Sequence, residues 1–148
     1  MTQSKKAFTM IELVFVIVVI GILASVAIPK LAATRDDAVI TKARTTIATV
    51  RNALAMERQK RILRGEFSEI TAVGDGTNVF GNFHDANGDT GTAVLEYTVK
   101  SENKKDRWSF SNDEYIFKST LGDTKFKVDG GKFVCVDESS HGCKQLTN

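Results

Sequence analysis

The sequence predicts an α+β chain in which a long N-terminal helix, kinked at Pro29, packs on a small antiparallel β-sheet head. Three observations predict it. Residues 8–29 are apolar apart from one charge, Glu12. Residues 31–63 continue in strong helix formers and carry an apolar face with helical spacing. From residue 92 the pattern changes to short alternating runs cut by Gly, Asn and Asp clusters, which reads as strands and turns.

The 148 residues carry 20 basic and 18 acidic side chains, a net charge of +2. That balance leaves no basic footprint for nucleic acid. One proline, Pro29, is present, so there is no proline-rich linker. Residues beyond the first 30 suffice for one small domain with a modest core.

The apolar run from Phe8 to Pro29 comes first. A helix needs about 20 such residues to cross a bilayer core. Lys5 and Lys6 stand before it and hold the N-terminus on the cytoplasmic side. Glu12 is the anomaly, because a carboxylate near the middle of a span costs roughly 2.5–3.5 kcal/mol, less towards its ends. No Lys, Arg or His lies between Phe8 and Pro29. A cation for Glu12 would therefore come from a second copy, as a freed N-terminus. Two plainer readings compete. An ordinary secretory signal peptide has a shorter apolar region without an acid. An uncleaved single-pass anchor would merely hold Glu12 near the interface.

The string from Ala7 to Pro29, AFTMIELVFVIVVIGILASVAIP, resembles the class III signal of type IV pilins and of type II secretion pseudopilins. The resemblance rests on the basic leader, Phe8, Glu12 five residues into the mature chain, the apolar span, Gly21 and Pro29. It covers about a fifth of the chain. It implies cleavage of residues 1–7 by a prepilin peptidase between Ala7 and Phe8, and N-methylation of Phe8. It implies that Glu12 pairs with the Phe8 amine of the adjacent subunit during assembly. The chain departs from the family in one place: Ala7 stands where Gly is usual, which implies slower processing.

Residues 31–64 read as an amphipathic helix. Ile40, Ala43, Ile47, Val50 and Leu54 recur at alternating three- and four-residue intervals on one face. Lys42, Arg44, Arg51 and Arg58 lie off it. Arg61 and Arg64 suit the C-terminal end of the helix dipole, and Gly65 suits the residue just past it. Asp36 and Asp37 read as acids that re-initiate the helix after Pro29.

Residues 65–91 read as a loop with short extended pieces, whose Ile70, Val73, Val79, Phe80 and Phe83 tuck into the head. Asp85, Asn87 and Asp89 alternate in a way that suits calcium, and Glu96 falls where the last ligand of an EF-hand loop would fall. Thr90 occupies the position of that loop's turn glycine, so the match is partial. The competing reading is a solvated Asx-turn loop. The family resemblance adds that major pseudopilins carry a calcium site in a loop, though nearer the C-terminus. No cofactor is required.

Residues 92–148 read as four to five antiparallel strands over the helix face. Leu95, Tyr97 and Val99 alternate first, followed by Trp108 with Phe110, Tyr115 with Phe117, Phe126 with Val128, and the run containing Cys135. Turn clusters separate the last four. An exported head makes a Cys135–Cys143 disulfide the default. A zinc site is disfavoured, since His141 is the one further ligand nearby and zinc takes four.

The expected function is structural. The chain polymerises through its N-terminal helices into a pseudopilus or pilus, of a type II secretion-like system. Type IV pilus and DNA-uptake assemblies are alternatives, as is a single-pass anchored periplasmic binding module. The resemblance names as partners the prepilin peptidase, an inner-membrane assembly platform and other minor pilins. It places the helix in the inner membrane with the head in the periplasm, later in a periplasmic or surface filament. An enzyme is not expected: His84 and His141 both sit in polar stretches with no nucleophile pattern beside them.

Overall fold

The computed structural model describes residues 8–88 and 90–147. The first helix, α1, runs from Met10 to Arg64 and includes Pro29. Seven strands and a short helix follow: β1 (Ile70–Ala72), β2 (Asn82–Asp85), β3 (Thr90–Ala93), β4 (Trp108–Ser111), β5 (Glu114–Ser119), β6 (Gly122–Asp129), β7 (Lys132–Cys135) and α2 (His141–Thr147). The predicted α+β class is therefore observed. The chain divides into two compact units between Asp37 and Ala38.

In the first unit the side chains of the apolar run are exposed, Phe8, Phe15 and Leu31 among them. Ser25 Oγ donates to the Ile22 carbonyl at 2.7 Å, and Thr34 Oγ1 donates to the Lys30 carbonyl at 3.0 Å. These hydroxyls are thus satisfied within the helix.

The second unit is built on the predicted face of α1. Ala43, Ile47, Val50 and Leu54 are buried, with Ile40 partly so. Fully burying a Val, Leu or Ile side chain contributes about 1.5–3 kcal/mol. Three arginines seven residues apart flank this face and donate to backbone carbonyls of α2, β7 and the β6–β7 turn. Arg44 Nε bonds the Gln145 carbonyl. Arg51 Nε bonds that of Phe133 at 3.0 Å, and Arg58 Nη1 that of Gly130 at 3.4 Å.

Strands β4 to β7 form an antiparallel meander in sequence order, the sheet anticipated from the alternating runs. Tyr115 lies opposite Phe126, which lies opposite Cys135, so inward side chains stack across strands. Phe126 and Phe133 stack with centroids 5.2 Å apart, and Trp108 meets Phe117 at 4.9 Å. Two tight turns set the register. Asn112 and Asp113 (φ 54° and 60°) join β4 to β5, and Gly130 and Gly131 (φ 57° and 68°) join β6 to β7. Paired positive φ values match the right-handed twist of a hairpin.

A second sheet, β1–β2–β3, comes from the segment read as loop. Its Ile70 and Phe83 are buried, as are Val73, Val79 and Phe80 beside it, as expected. The run Thr92–Val99 differs from its reading. Strand β3 stops at Ala93, and the chain bends through residues 94–97. Val94 and Leu95 are buried consecutively while Tyr97 is half-exposed, so the apparent alternation is not that of a strand.

Helix α2 was not anticipated. Ser140 caps it by accepting the Cys143 amide at 3.2 Å. Gly142 rests on Thr124, so closely that a β-carbon there would lie 2.1 Å from the threonine hydroxyl. Cys135 and Cys143 form the expected disulfide, which ties β7 to α2.

Candidate functional site

The first candidate site is the start of α1. Thr9 precedes the helix, so Glu12 occupies its third position. The Glu12 carboxylate reaches back: its Oε2 accepts the Thr9 amide at 2.8 Å and the Thr9 hydroxyl at 2.7 Å. The Glu12 amide in turn donates to Thr9 Oγ1 at 3.3 Å. This is a reciprocal capping box, which satisfies orphan donors at a helix start. Such caps contribute about 0.5–2 kcal/mol. Sequence reasoning read Glu12 as an acid waiting for a cation and missed the T-x-x-E spacing from Thr9 that announces the cap.

The cap does not neutralise Glu12, because Thr9 brings no charge. The carboxylate is held against Thr9, the residue after Phe8, and the Phe8 side chain is 85% exposed. Ala7, the residue before the expected cut, lies outside the described residues. From Met10 on, α1 includes a window apolar and long enough to cross a membrane, none of which is buried in the protein.

The second candidate is the calcium string. The structure places Asp85 at the end of β2, nine-tenths buried, with Asn87 in the following turn. Asp89 lies outside the described residues. Glu96 is exposed in the bend after β3. The Asp85 carboxylate is held by protein donors. Its Oδ2 accepts Arg61 Nη1 at 3.3 Å and Ser68 Oγ at 3.1 Å, and its Oδ1 accepts the Asn87 amide at 3.0 Å. In this structure the Asp85 carboxylate is thus partnered by protein donors, the Arg61 guanidinium among them.

Arg61 lies in the last turn of α1, as its reading at the C-terminal end of the dipole expects, and it is also buried between Asp85 and Glu57, whose Oε1 lies 3.4 Å from Arg61 Nε. Thr92 Oγ1 donates to Glu57 Oε2 at 3.3 Å. The signal was present in the spacing: Glu57 and Arg61 continue the stripe of Ala43, Ile47, Val50 and Leu54. The triad lines a cleft of about 770 Å³ that also includes Arg64 and Phe67.

The two histidines lie on separate elements. His84 is in β2, with its Nε2 buried and without a hydrogen-bond partner among the described residues. His141 begins α2.

With that geometry established, comparison with known proteins defines the class of the N-terminal segment. The prokaryotic N-terminal methylation motif matches residues 2–28. The prepilin-type resemblance read from the leader, Phe8, Glu12 and the apolar run is thus borne out. Among particular proteins, the chain is 40% identical over 55 residues to the type II secretion system core protein G of Escherichia coli (strain K12), covering 37% of this chain and 38% of that protein. It is 32% identical over 69 residues to the metalloprotease AprA of Pseudomonas entomophila (strain L48), covering 47% of this chain and 14% of that protein. The chain thus spans well under half the length of either relative. No solved structure matches it.

Proposed function

We propose that this chain is a pseudopilin-like structural subunit, processed by prepilin peptidase and polymerised through its N-terminal helices in a type II secretion-like system. The observation that carries the reading is the coincidence of the methylation motif, residues 2–28, with an apolar helix whose side chains the protein leaves uncovered. Similarity to a secretion core protein supports the same system. Before assembly the helix anchors the chain in the inner membrane with the head in the periplasm. Cleavage between Ala7 and Phe8 frees an amine on Phe8, which is then methylated. The Phe8 amine of one copy answers the Glu12 carboxylate of the next. Other minor pilins and an inner-membrane platform complete the assembly. The role is structural rather than catalytic.

The capping box dictates how this is tested. Glu12→Ala removes the cap and the charge together, whereas Glu12→Gln keeps a side chain that can cap the helix and removes only the charge. The Glu12→Gln variant is expected to insert and to be cleaved, giving a mature chain that begins at methylated Phe8 by mass spectrometry. Its filament yield is expected to fall by about tenfold or more, the effect of about 1.4 kcal/mol per contact. Normal filament yield from this variant, or a native chain that begins at Met1, would count against the reading.

A further inference from the structure

We propose that Arg61 is the resident cation at Asp85, so that the end of β2 is held to α1 by a guanidinium rather than by a divalent metal. The spacing of Asp85, Asn87 and Asp89 suits calcium, but the structure gives Asp85 a different partner. Arg61 Nη1 stands 3.3 Å from Asp85 Oδ2 and Arg61 Nε stands 3.4 Å from Glu57 Oε1. All three side chains are at least nine-tenths buried, at 7%, 7% and 4% exposure. One guanidinium therefore joins the end of α1 to the end of β2.

Charge and space agree with this assignment. Two buried carboxylates carry two negative charges. Arg61 supplies one positive charge, and Lys60, 4.0 Å from Glu57 and half-exposed, stands at the rim. Gly91 makes the room: a β-carbon there would lie 3.1 Å from Arg61 Nη2. The Asp85 oxygen opposite Arg61 is turned to the Asn87 amide, so the carboxylate is committed on both sides.

The test uses the full-length protein in detergent micelles, with unfolding followed by the fluorescence of Trp108, the sole tryptophan. The wild type should melt at the same temperature in chelator and in millimolar calcium, and equilibrium dialysis should find no bound calcium. Arg61→Met should melt lower in chelator and be restored in part by calcium. Calcium at a hundred times its dissociation constant would raise that midpoint by about 10 °C or more. Arg61→Lys, which keeps the charge, should remain indifferent to calcium. A calcium-dependent rise in the wild type, or stoichiometric calcium bound to it, overturns the proposal. So does an Arg61→Met variant that is destabilised without any recovery in calcium. Should Arg61→Met fail to fold, the wild-type dialysis and the Arg61→Lys melt still decide the matter.

Discussion

Removing one oxygen atom from Tyr115 tests how the two sheets of the head are held together. Tyr115 lies on β5, is 1% exposed, and accepts the backbone amide of Val73 through its hydroxyl at 2.9 Å. Val73 follows β1 and is itself fully buried. The Tyr115 ring packs against Phe80, Phe110 and Phe133. Tyr115→Phe keeps those ring contacts and deletes only the acceptor, leaving the Val73 amide without this partner. A buried donor stranded in this way costs about 1–3 kcal/mol. The same hydroxyl sets an alkaline limit. Burial pushes its pKa up to about 12, against the opposing bond from Val73 and helped by the charge of Asp113. An unfolded tyrosine ionises near pH 10. Between about pH 10 and 12 the unfolded chain therefore binds fewer protons than the folded one, and stability falls as pH rises. Two units correspond to about 2.7 kcal/mol as an upper figure. Chemical denaturation of wild type and Tyr115→Phe, followed by Trp108 fluorescence at pH 7 and pH 11.5, measures both effects. At pH 7 the variant should be less stable by about 1–3 kcal/mol. At pH 11.5 the gap should narrow, because only the wild type has an ionisable group at this position. Lysine deprotonation affects both proteins and cancels in the difference. A variant as stable as wild type at pH 7, or a gap that is unchanged at pH 11.5, would refute the reasoning.

Two further perturbations probe the rest of the head. Replacing both Cys135 and Cys143 with serine should cost about 2–3 kcal/mol in the chain-entropy view, and should expose α2 to proteolysis while β4–β6 stay protected. Limited digestion with mass mapping reads that difference. Gly74→Ala should destabilise by about 1–3 kcal/mol through overpacking, because its β-carbon would fall 2.2 Å from the Val79 carbonyl oxygen, which belongs to backbone and cannot rotate away. A thermal midpoint within a degree of wild type would show that this loop is free to shift.

The sequence carried most of the architecture through two periods. The stripe from Ile40 to Leu54 is continuous in residue type, so the helical face was legible. The runs around Tyr115, Phe126 and Phe133 alternate over whole strands, so the meander was legible too. Strands β1 and β2 were not, because they lie in a stretch rich in Gly, Asn and Asp whose short runs read as loop. The seven residues of α2 make too few turns to show a period, although Ser140 offers a cap. In Thr92–Val99 the residue types alternate but the backbone does not follow, since two adjacent side chains, Val94 and Leu95, both turn inward.

Two features that the sequence reading left out share one cause: charged residues were read by their charge before their position. Glu12 falls three residues after Thr9, at the start of a helix, where a glutamate caps the chain whatever surrounds it. Arg61 falls four residues after Glu57 and seven after Leu54, on the buried stripe as well as in the last turn of the helix. A hydrophobicity count stops at Leu54 because its next two members are ionic. The spacing does not stop there, and it implies that the two charges must find partners, because leaving a buried charge uncompensated costs about 3–5 kcal/mol. Glu57 finds Arg61 on the same helix, and Arg61 also reaches a second carboxylate from the sheet. That carboxylate is Asp85, so a residue of the string with calcium-like spacing stands against a guanidinium in this structure.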